Sequence, residues 1–470
     1  MRASAVAEKA GVPVVSLICE SFVRGAHAVA NGVGFPNMPI AMIPGHVDTQ
    51  TWDELKVNVE TVTLPQVITG LTIQPPQAKE RPEPASMDIV FQGTYDEVNR
   101  FFLSRRWSDS LPIVPPTREK VKQFLAFTDR SPEEVIGVLL PDSRQATIWN
   151  TAVNGVMAGC RPEYMPVLVA LTEAMADPQY GVEHSGNTPG SETLITLNGS
   201  IIKELDFNCE QGVLRDGFQA NTTIGRFWRL MLRNVAGFHL HQTDMGTFGG
   251  TWRVVLAENE DALARIGWQP MSVDQGFEAG ENVLTVARHV SGGVIAGVFG
   301  QRPEDMLPYI ADRLASYMGW EIWFTVLPRP ALGGSQRPHL ILTPILAETI
   351  AKSGWSKRDV KQYLYDHARI PAWKVEKFNW GWTNFAPDHV SLCDYVREGI
   401  LGAQFCESED PNRLVPIVSS PDDFMITVSG DPGRTNAYLF ISNGILGYST
   451  SKRIELPTNW AEMLKLAKRQ

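Results

Sequence analysis

Cysteine is scarce in this chain. Five residues, Cys19, Cys160, Cys209, Cys393 and Cys406, are scattered over 470 positions. With no CxxC among them, neither a disulfide framework nor a zinc ribbon is expected, and the odd count points to a reduced, cytoplasmic setting. No run of ~18–20 apolar residues exists to form a membrane-spanning helix. Arg2 is followed by an amphipathic Ala/Glu/Lys pattern instead of the apolar stretch of a secretory signal. Basic excess is missing as well. A net charge of −10 and a pI near 5.5 argue against nucleic acid, which wants clustered Lys and Arg. Without GxSxG, HExxH or GxGxxG, no motif supports a serine hydrolase, a metalloprotease or a dinucleotide-binding protein.

What is present is the composition of a globular protein, 43% hydrophobic and 20% charged, at a length that predicts two to four domains. The first 72 residues read as αβαβα. Ala3–Ala10 is helical, Val12–Cys19 is a buried parallel strand, and Phe22–Ala30 is a second helix. Met38–Pro44 is a second strand, and a helix runs from Thr51 to about Thr63. Thr51 and Glu54 have capping-box spacing, and Pro65 marks the expected end of that helix. A doubly wound α/β sheet normally opens with a strand feeding a functional turn. That strand is not seen, so the unit reads as truncated, and a second protein subunit is expected to supply it.

The Pro-rich, charged segment 73–88 reads as a linker. Beyond it a large α+β body is expected, divided into a central block at 89–335 and a C-terminal α/β block at 336–470. Helices are predicted at Tyr95–Arg105, Thr117–Phe127, Ile148–Ala176 (broken at Gly159–Pro162), Arg226–Arg233, Glu304–Met318, Pro344–Lys352 and Lys357–His367. Strands are predicted at Glu192–Leu197, Ala236–His241, Thr251–Leu256, Leu340–Thr343, Leu414–Val418, Phe424–Val428 and Ala437–Ile441.

Three clusters can carry chemistry. Cys160 precedes Pro162, which fits the first position of a helix, and Arg161 adjoins it. A helix dipole and a nearby cation would favour thiolate; the alternative is a small cysteine packed at a helix junction. His239 and His241, two apart on the expected strand, would share a face with Asp244 nearby. That set suits acid–base work or a divalent first-row metal; the alternative is histidines that serve structure or bond substrate. On the preceding helix Arg226, Arg229 and Arg233 fall at i, i+3 and i, i+4 spacing. They suit either an anionic substrate or ion pairs to neighbouring elements, with Asn221 or Thr222 the candidate cap and Asn221 also a candidate substrate contact. Asn154 and Glu163, flanking the Cys160 junction, complete the expected substrate contacts. Two Gly-containing loops, His184–Ser191 and Gly430–Arg434, are either anion nests or plain turns.

These segments together resemble a known family. AVAEKAGVPVVSLICESFV, near the start, is similar to the second half of the UGSC-type (seleno)protein domain, itself similar to selenoprotein B subunits of glycine and betaine reductases. RRWSDSLPIVPPT (105–117), NTAVNGVMAGCRPEYMPVLVAL (150–171), TPGSETLITLNG (188–199), ANTTIGRFWRLMLRNV (220–235) and GWSKRDVKQYLYDHARIP (354–371) resemble the large bacterial proteins associated with that domain. His239–Gly250 departs from the Arg-Pro-Gly and His-Pro-Gly pattern of these proteins, which implies a specialised pocket. The resemblance implies a Sec- or Cys-Gly-Ser-Cys redox loop ahead of residue 1, carried here by the partner subunit. It implies thiol-based chemistry on a small polar or anionic metabolite, reductive or cleaving a carbon–heteroatom bond. Cys160 is the candidate thiol of this chain. A metal-dependent hydratase or lyase using His239, His241 and Asp244, and a non-catalytic scaffold completing a partner's site, are the competing expectations.

Overall fold

The computed structural model describes residues 1–73, 85, 87–250, 254–319, 322, 336–382, 389–442 and 448–469. The expected linker at 73–88 lies largely outside the described residues.

The amino-terminal unit has the predicted order: α1 (Arg2–Lys9), β1 (Ser16–Cys19), α2 (Val23–Gly32), β2 (Ile40–Ile43), α3 (Trp52–Asn58) and α4 (Leu64–Thr72). β1 and β2 are parallel, with Ser16 opposite Ile40 and Cys19 opposite Ile43. Thr51 and Glu54 form the expected capping box. Pro65 does not end the helix, however. A π turn, Val59–Thr63, passes the chain from α3 into α4, and Pro65 sits in the first turn of α4, where no N–H is needed. The expected burial of the first strand also fails, since Leu17 is 57% exposed. Trp52, Leu64, Ile68 and Leu71 are exposed too. Parallel strands are ordinarily covered on both faces, so this unit presents apolar surface that its own elements do not cover.

The body begins with α5 (Tyr95–Ser104) and α6 (Arg118–Leu125), then a hairpin of β3 (Val135–Leu139) and β4 (Arg144–Thr147). Next come α7 (Ile148–Ala158) and α8 (Met165–Ala176), separated as predicted at Gly159, which adopts φ +81. A single mixed sheet then dominates. Its strands are β5 (Glu192–Asn198), β6 (Val255–Ala257), β7 (Val283–Ile295), β8 (His339–Leu342), β11 (Met425–Val428), β12 (Ala437–Ser442) and β13 (Thr450–Arg453). A small ladder pairs β9 (Arg369–Pro371) with β10 (Leu414–Pro416). The order across the large sheet is β11-β8-β12-β7-β5-β6, with β13 pairing the start of β7. The expected boundary at 335/336 therefore crosses one sheet, because strands from both sides of it interleave.

β7 is the axis of the sheet and was not predicted. Its first half pairs β5, and its second half pairs β12 after a bulge between Ile441 and Ser442 in that register. The bulge swaps which residues of β7 face inward. On the outer face Ile195, Leu197, Leu284 and Val286 pack on α7, α8 and α10 (Gln219–Met231). Leu340, Leu342, Leu439 and Ile441 pack on the helices Pro303–Tyr317 and Pro344–Lys352. The inner face gathers Leu194, Leu256, Ile341 and Phe440 into a separate small core. Such a gathering needs the sheet to curl, and its two edges do touch. Asn259 donates its N–H to the Val428 carbonyl (2.8 Å), and Ser429 Oγ donates to the Ala257 carbonyl (2.8 Å).

Two histidines lie inside the curl. His289 and His339 are completely buried, with ring centroids 6.1 Å apart, and His339 Nε2 meets Thr427 Oγ1 at 3.0 Å. Burial pushes both imidazoles down, His339 to about 3, with Lys357 adding to the shift of His339 and His339 to that of His289. Unfolded, each takes a proton near pH ~6.5; folded, each resists it. Stability is thus intact above that pH and falls as pH drops toward the folded values. When both sites contribute, the slope reaches about 2.7 kcal/mol per pH unit. Urea titrations from neutral pH to about pH 4 should show this loss, and His339→Gln should roughly halve the slope.

Candidate functional site

The predicted site residues divide sharply. Cys160 is buried, and its burial pushes the thiol up to about 12, the Thr223 hydroxyl and Arg226 charge opposing this and losing. The expected thiolate is therefore contradicted. Helix α8 starts at Met165, after a 3-10 turn at Pro162–Tyr164, so its dipole is too distant to rescue the charge. Glu163 is buried against Arg161 in an ion pair. Asn221 lies inside α10 rather than capping it. It donates to the Val255 carbonyl (2.7 Å) and the Asn208 carbonyl (3.1 Å) and accepts from Asn208 N–H (2.9 Å). Its role is to lash α10 to β6.

The expected Arg226–Arg233 helix is the C-terminal part of α10, which continues into a π turn, Leu232–Ala236. Arg226 forks onto Asp109, at 2.8 and 3.0 Å, and also donates to the Pro112 carbonyl. Arg229 pairs with Glu192 at the head of β5. Both arginines thus serve structure. Arg233, on the π turn, is different: half-buried, it makes no hydrogen bond or ion pair among the described residues. Desolvation pulls its guanidinium down from the usual value. Asp109 and Asp244 oppose the shift, and Arg229 and Arg106 reinforce it. Arg106 likewise has no side-chain partner among the described residues and sits at φ +60. Such left-handed backbone at a non-glycine residue is uncommon and concentrates at functional sites.

The segment after Arg233 is not the expected strand. Gly237 ends the π turn at φ +89, and a Cβ there would fall 2.1 Å from Asp142 Cγ. The chain then folds into a tight turn in which the His239 carbonyl accepts from the N–H groups of Gln242, Thr243 and Asp244. His241 adopts φ +64 and is exposed. The strand geometry that would align His239 and His241 is therefore absent, and among the described residues no three His, Cys, Asp or Glu side chains group to hold a metal. His239 is half-buried, with Nδ1 lacking a hydrogen-bond partner among the described residues. Desolvation pushes its imidazole down, and Arg233, Arg106 and Arg144 add to the shift, so it is held neutral at neutral pH. Asp244 caps the turn through Gly246 N–H (3.2 Å).

The structure thus assembles Arg106, Arg233 and His239, with Asp244 and Arg144 in electrostatic reach. Arg144 leans on Asp142 at 3.4 Å. Beside this cluster opens a cavity of about 1060 Å³ lined by residues that include Trp107, Arg144, Trp149, Val153, Asn154 and Asn234. Asn154, a predicted contact, is buried there and accepts from Asn234 Nδ2 (2.8 Å). Sequence spacing exposed the three arginines but not which one is free. Arg106 carried no sequence signal. The two loops are turns: Asn187 Oδ1 accepts from Gly190 and Ser191 N–H, and Asp431 Oδ1 from Gly433 N–H, so side chains already occupy those donors.

One further expectation is corrected. Cys393 and Cys406 form a disulfide with Cα atoms 5.0 Å apart, which removes the cysteine ground for a reducing compartment. No described helix is long and apolar enough to cross a membrane. For Cys160 the outcome is direct: iodoacetamide at about pH 7 should leave it unmodified in the folded chain and alkylate it after unfolding. Peptide mass spectrometry with and without denaturant reads this.

The amino-terminal unit packs on the same neighbourhood. A Cβ at Gly25 of α2 would lie 2.7 Å from the Gln242 carbonyl oxygen, and one at Gly32 would lie 1.9 Å from that of Pro141. Arg2 reaches Glu183 at 2.7 Å. No curated protein and no solved structure matches the chain. The model of the UGSC family does match, over residues 1–73, so the unit that abuts the cluster, here the UGSC segment, is the part of the chain similar to that family.

Proposed function

We propose that this chain is one subunit of a heteromeric enzyme acting on a small anionic metabolite, held by Arg233 and Arg106 with His239 as the proton acceptor beside it. The observation that carries this is Arg233. Its helix neighbours Arg226 and Arg229 are neutralised by Asp109 and Glu192, whereas Arg233 stays unpaired on a π turn, a feature frequent at functional sites. A half-buried guanidinium without a partner costs free energy that an anion would offset. A neutral imidazole at the same place suits general-base work.

The uncovered apolar surface on the UGSC segment supports a second subunit that covers it. Thiol chemistry, reductive or cleaving a carbon–heteroatom bond, then needs a thiol other than the buried Cys160, and the covering partner is where this reading places it.

The experiment compares Arg233→Gln with Arg226→Gln, using sodium acetate as probe at constant ionic strength. Arg233→Gln should weaken acetate binding at least about tenfold, roughly the loss of one charge-assisted hydrogen bond, with little change in melting temperature. Arg226→Gln should destabilise by about 3 kcal/mol, because Asp109 is left buried without its cation. Acetate should bind more tightly as pH falls through the depressed titration of His239, which lies below the ordinary imidazole value of about 6.5, and His239→Gln should remove that pH dependence. Equal acetate affinity in Arg233→Gln and the unaltered chain would refute the site.

A further inference from the structure

Resting on that anion site, we infer that the metabolite is an amphiphilic monocarboxylate whose apolar body occupies the cavity between α5, α7 and the segment 87–93. Size argues first. At about 1060 Å³ the cavity stands at the upper end of roughly 300–1,000 Å³ for small-molecule pockets, far more than a two- or three-carbon anion fills. Its walls argue next. Phe91, Phe102, Trp107, Trp149, Val153 and Met157 supply an apolar lining, and Phe91 is fixed by stacking on Phe101 at 4.5 Å. Ile89, Val90 and Phe91 remain exposed on the segment that forms the rim.

Polar groups of the lining stand on two sides: Asp88, Gln92 and Arg118 by the segment 87–93, and Arg144, Asn154 and Asn234 toward the cluster. Arg144 both lines the cavity and acts electrostatically on His239. Trp107 and Asn234, also in the lining, directly follow Arg106 and Arg233 in the chain. Asn234 Oδ1 is buried with no hydrogen-bond partner among the described residues. The cavity therefore has an apolar body and, at Arg144 and Asn234, a polar flank that adjoins the cluster, the layout that orients an amphiphile.

The charge count sets the headgroup. Arg226 is matched by Asp109, Arg229 by Glu192 and Arg144 by Asp142. Arg106 and Arg233 remain, opposed by Asp244. At the cluster itself one positive charge is left over, which suits a monoanion better than a phosphate dianion.

The test is calorimetric titration of the full chain with straight-chain carboxylates from acetate to octanoate. Affinity should climb about fourfold per added methylene until the cavity fills. Phe91→Ser, at the rim, should flatten that climb. Val153→Trp, which fills the cavity from α7, should do the same. Arg233→Gln should lower every member of the series. If affinity is flat from acetate to octanoate while Arg233→Gln still lowers it, the cavity assignment falls and the anion site stands. If the climb persists in both Phe91→Ser and Val153→Trp, the apolar body lies elsewhere and the inference is overturned. If Arg233→Gln changes nothing, the anion site itself is wrong.

Discussion

The body closes where the two edges of its sheet meet, and a buried carboxylate sits at that seam beside the two direct hydrogen bonds across it. Glu258, immediately after β6, is fully buried. It accepts from Val428 N–H (3.1 Å) on β11, Met271 N–H (2.7 Å) and Asn198 Nδ2 (2.6 Å) on β5. Strands β6 and β11 stand at opposite edges of the sheet, so this side chain joins edges that pairing alone leaves apart. Burial outweighs its donors and the Lys357 charge and pushes the carboxyl up. A buried polar group of this kind is tolerable when its acceptors are satisfied and expensive when they are not. The curl of the sheet, and with it the small inner core and the two interior histidines, depends on that satisfaction.

The same closure fixes the candidate site. β6 is lashed to α10 by Asn221, and α10 meets β5 through Arg229 and Glu192. With Arg226 pinned to Asp109, the helix has no freedom to rotate. Its π turn then inserts an extra residue, and Arg233 departs from the line of its neighbours. That is why three arginines at helical spacing end in different environments. The first two are matched by carboxylates on other elements. The third projects where α10 ceases to be a regular helix, and Gly237, favoured by its φ of +89 and its closeness to the Asp142 carboxylate, turns the chain so that His239 arrives next to it.

Much of the fold was legible in the sequence. The capping box at Thr51 marked the start of its helix, and the helices Pro344–Lys352 and Lys357–His367 were placed to the residue, because the signals that bound a helix act within one turn. The long strand β7 was not legible, since Gly292 and Gly293 interrupt its pattern. Gly292 is there because a Cβ would meet the Leu439 carbonyl oxygen at 2.3 Å, a cross-strand reason invisible to local reading. The strand expected at 236–241 failed because Gly237 and the Thr243 hydroxyl, which bonds His239 N–H at 2.9 Å, favour a turn over an extended run. Cys160 misled for a related reason. Its neighbours in sequence suggested a charged thiolate, but its neighbours in space exclude water, and desolvation exceeds what one arginine returns. The site was legible as a list of residue types on α10 and the following loop; the pairing that frees Arg233 depended on Asp109 and Glu192, far away in the chain.

The position of the UGSC segment bears on how such a site would work. Its helix α2 approaches the backbone at Gln242 and Pro141 so closely that glycine is required at both contacts. Those backbones belong to the turn carrying His239 and to the hairpin carrying Asp142 and Arg144. Any element that covers the exposed apolar side of the segment is therefore coupled, through one short helix, to the loops that set the charge of the cluster. A catalytic group delivered by a covering subunit needs no long-range relay to influence His239, because α2 and the His239 turn already share a packed boundary in which displacement of one must move the other.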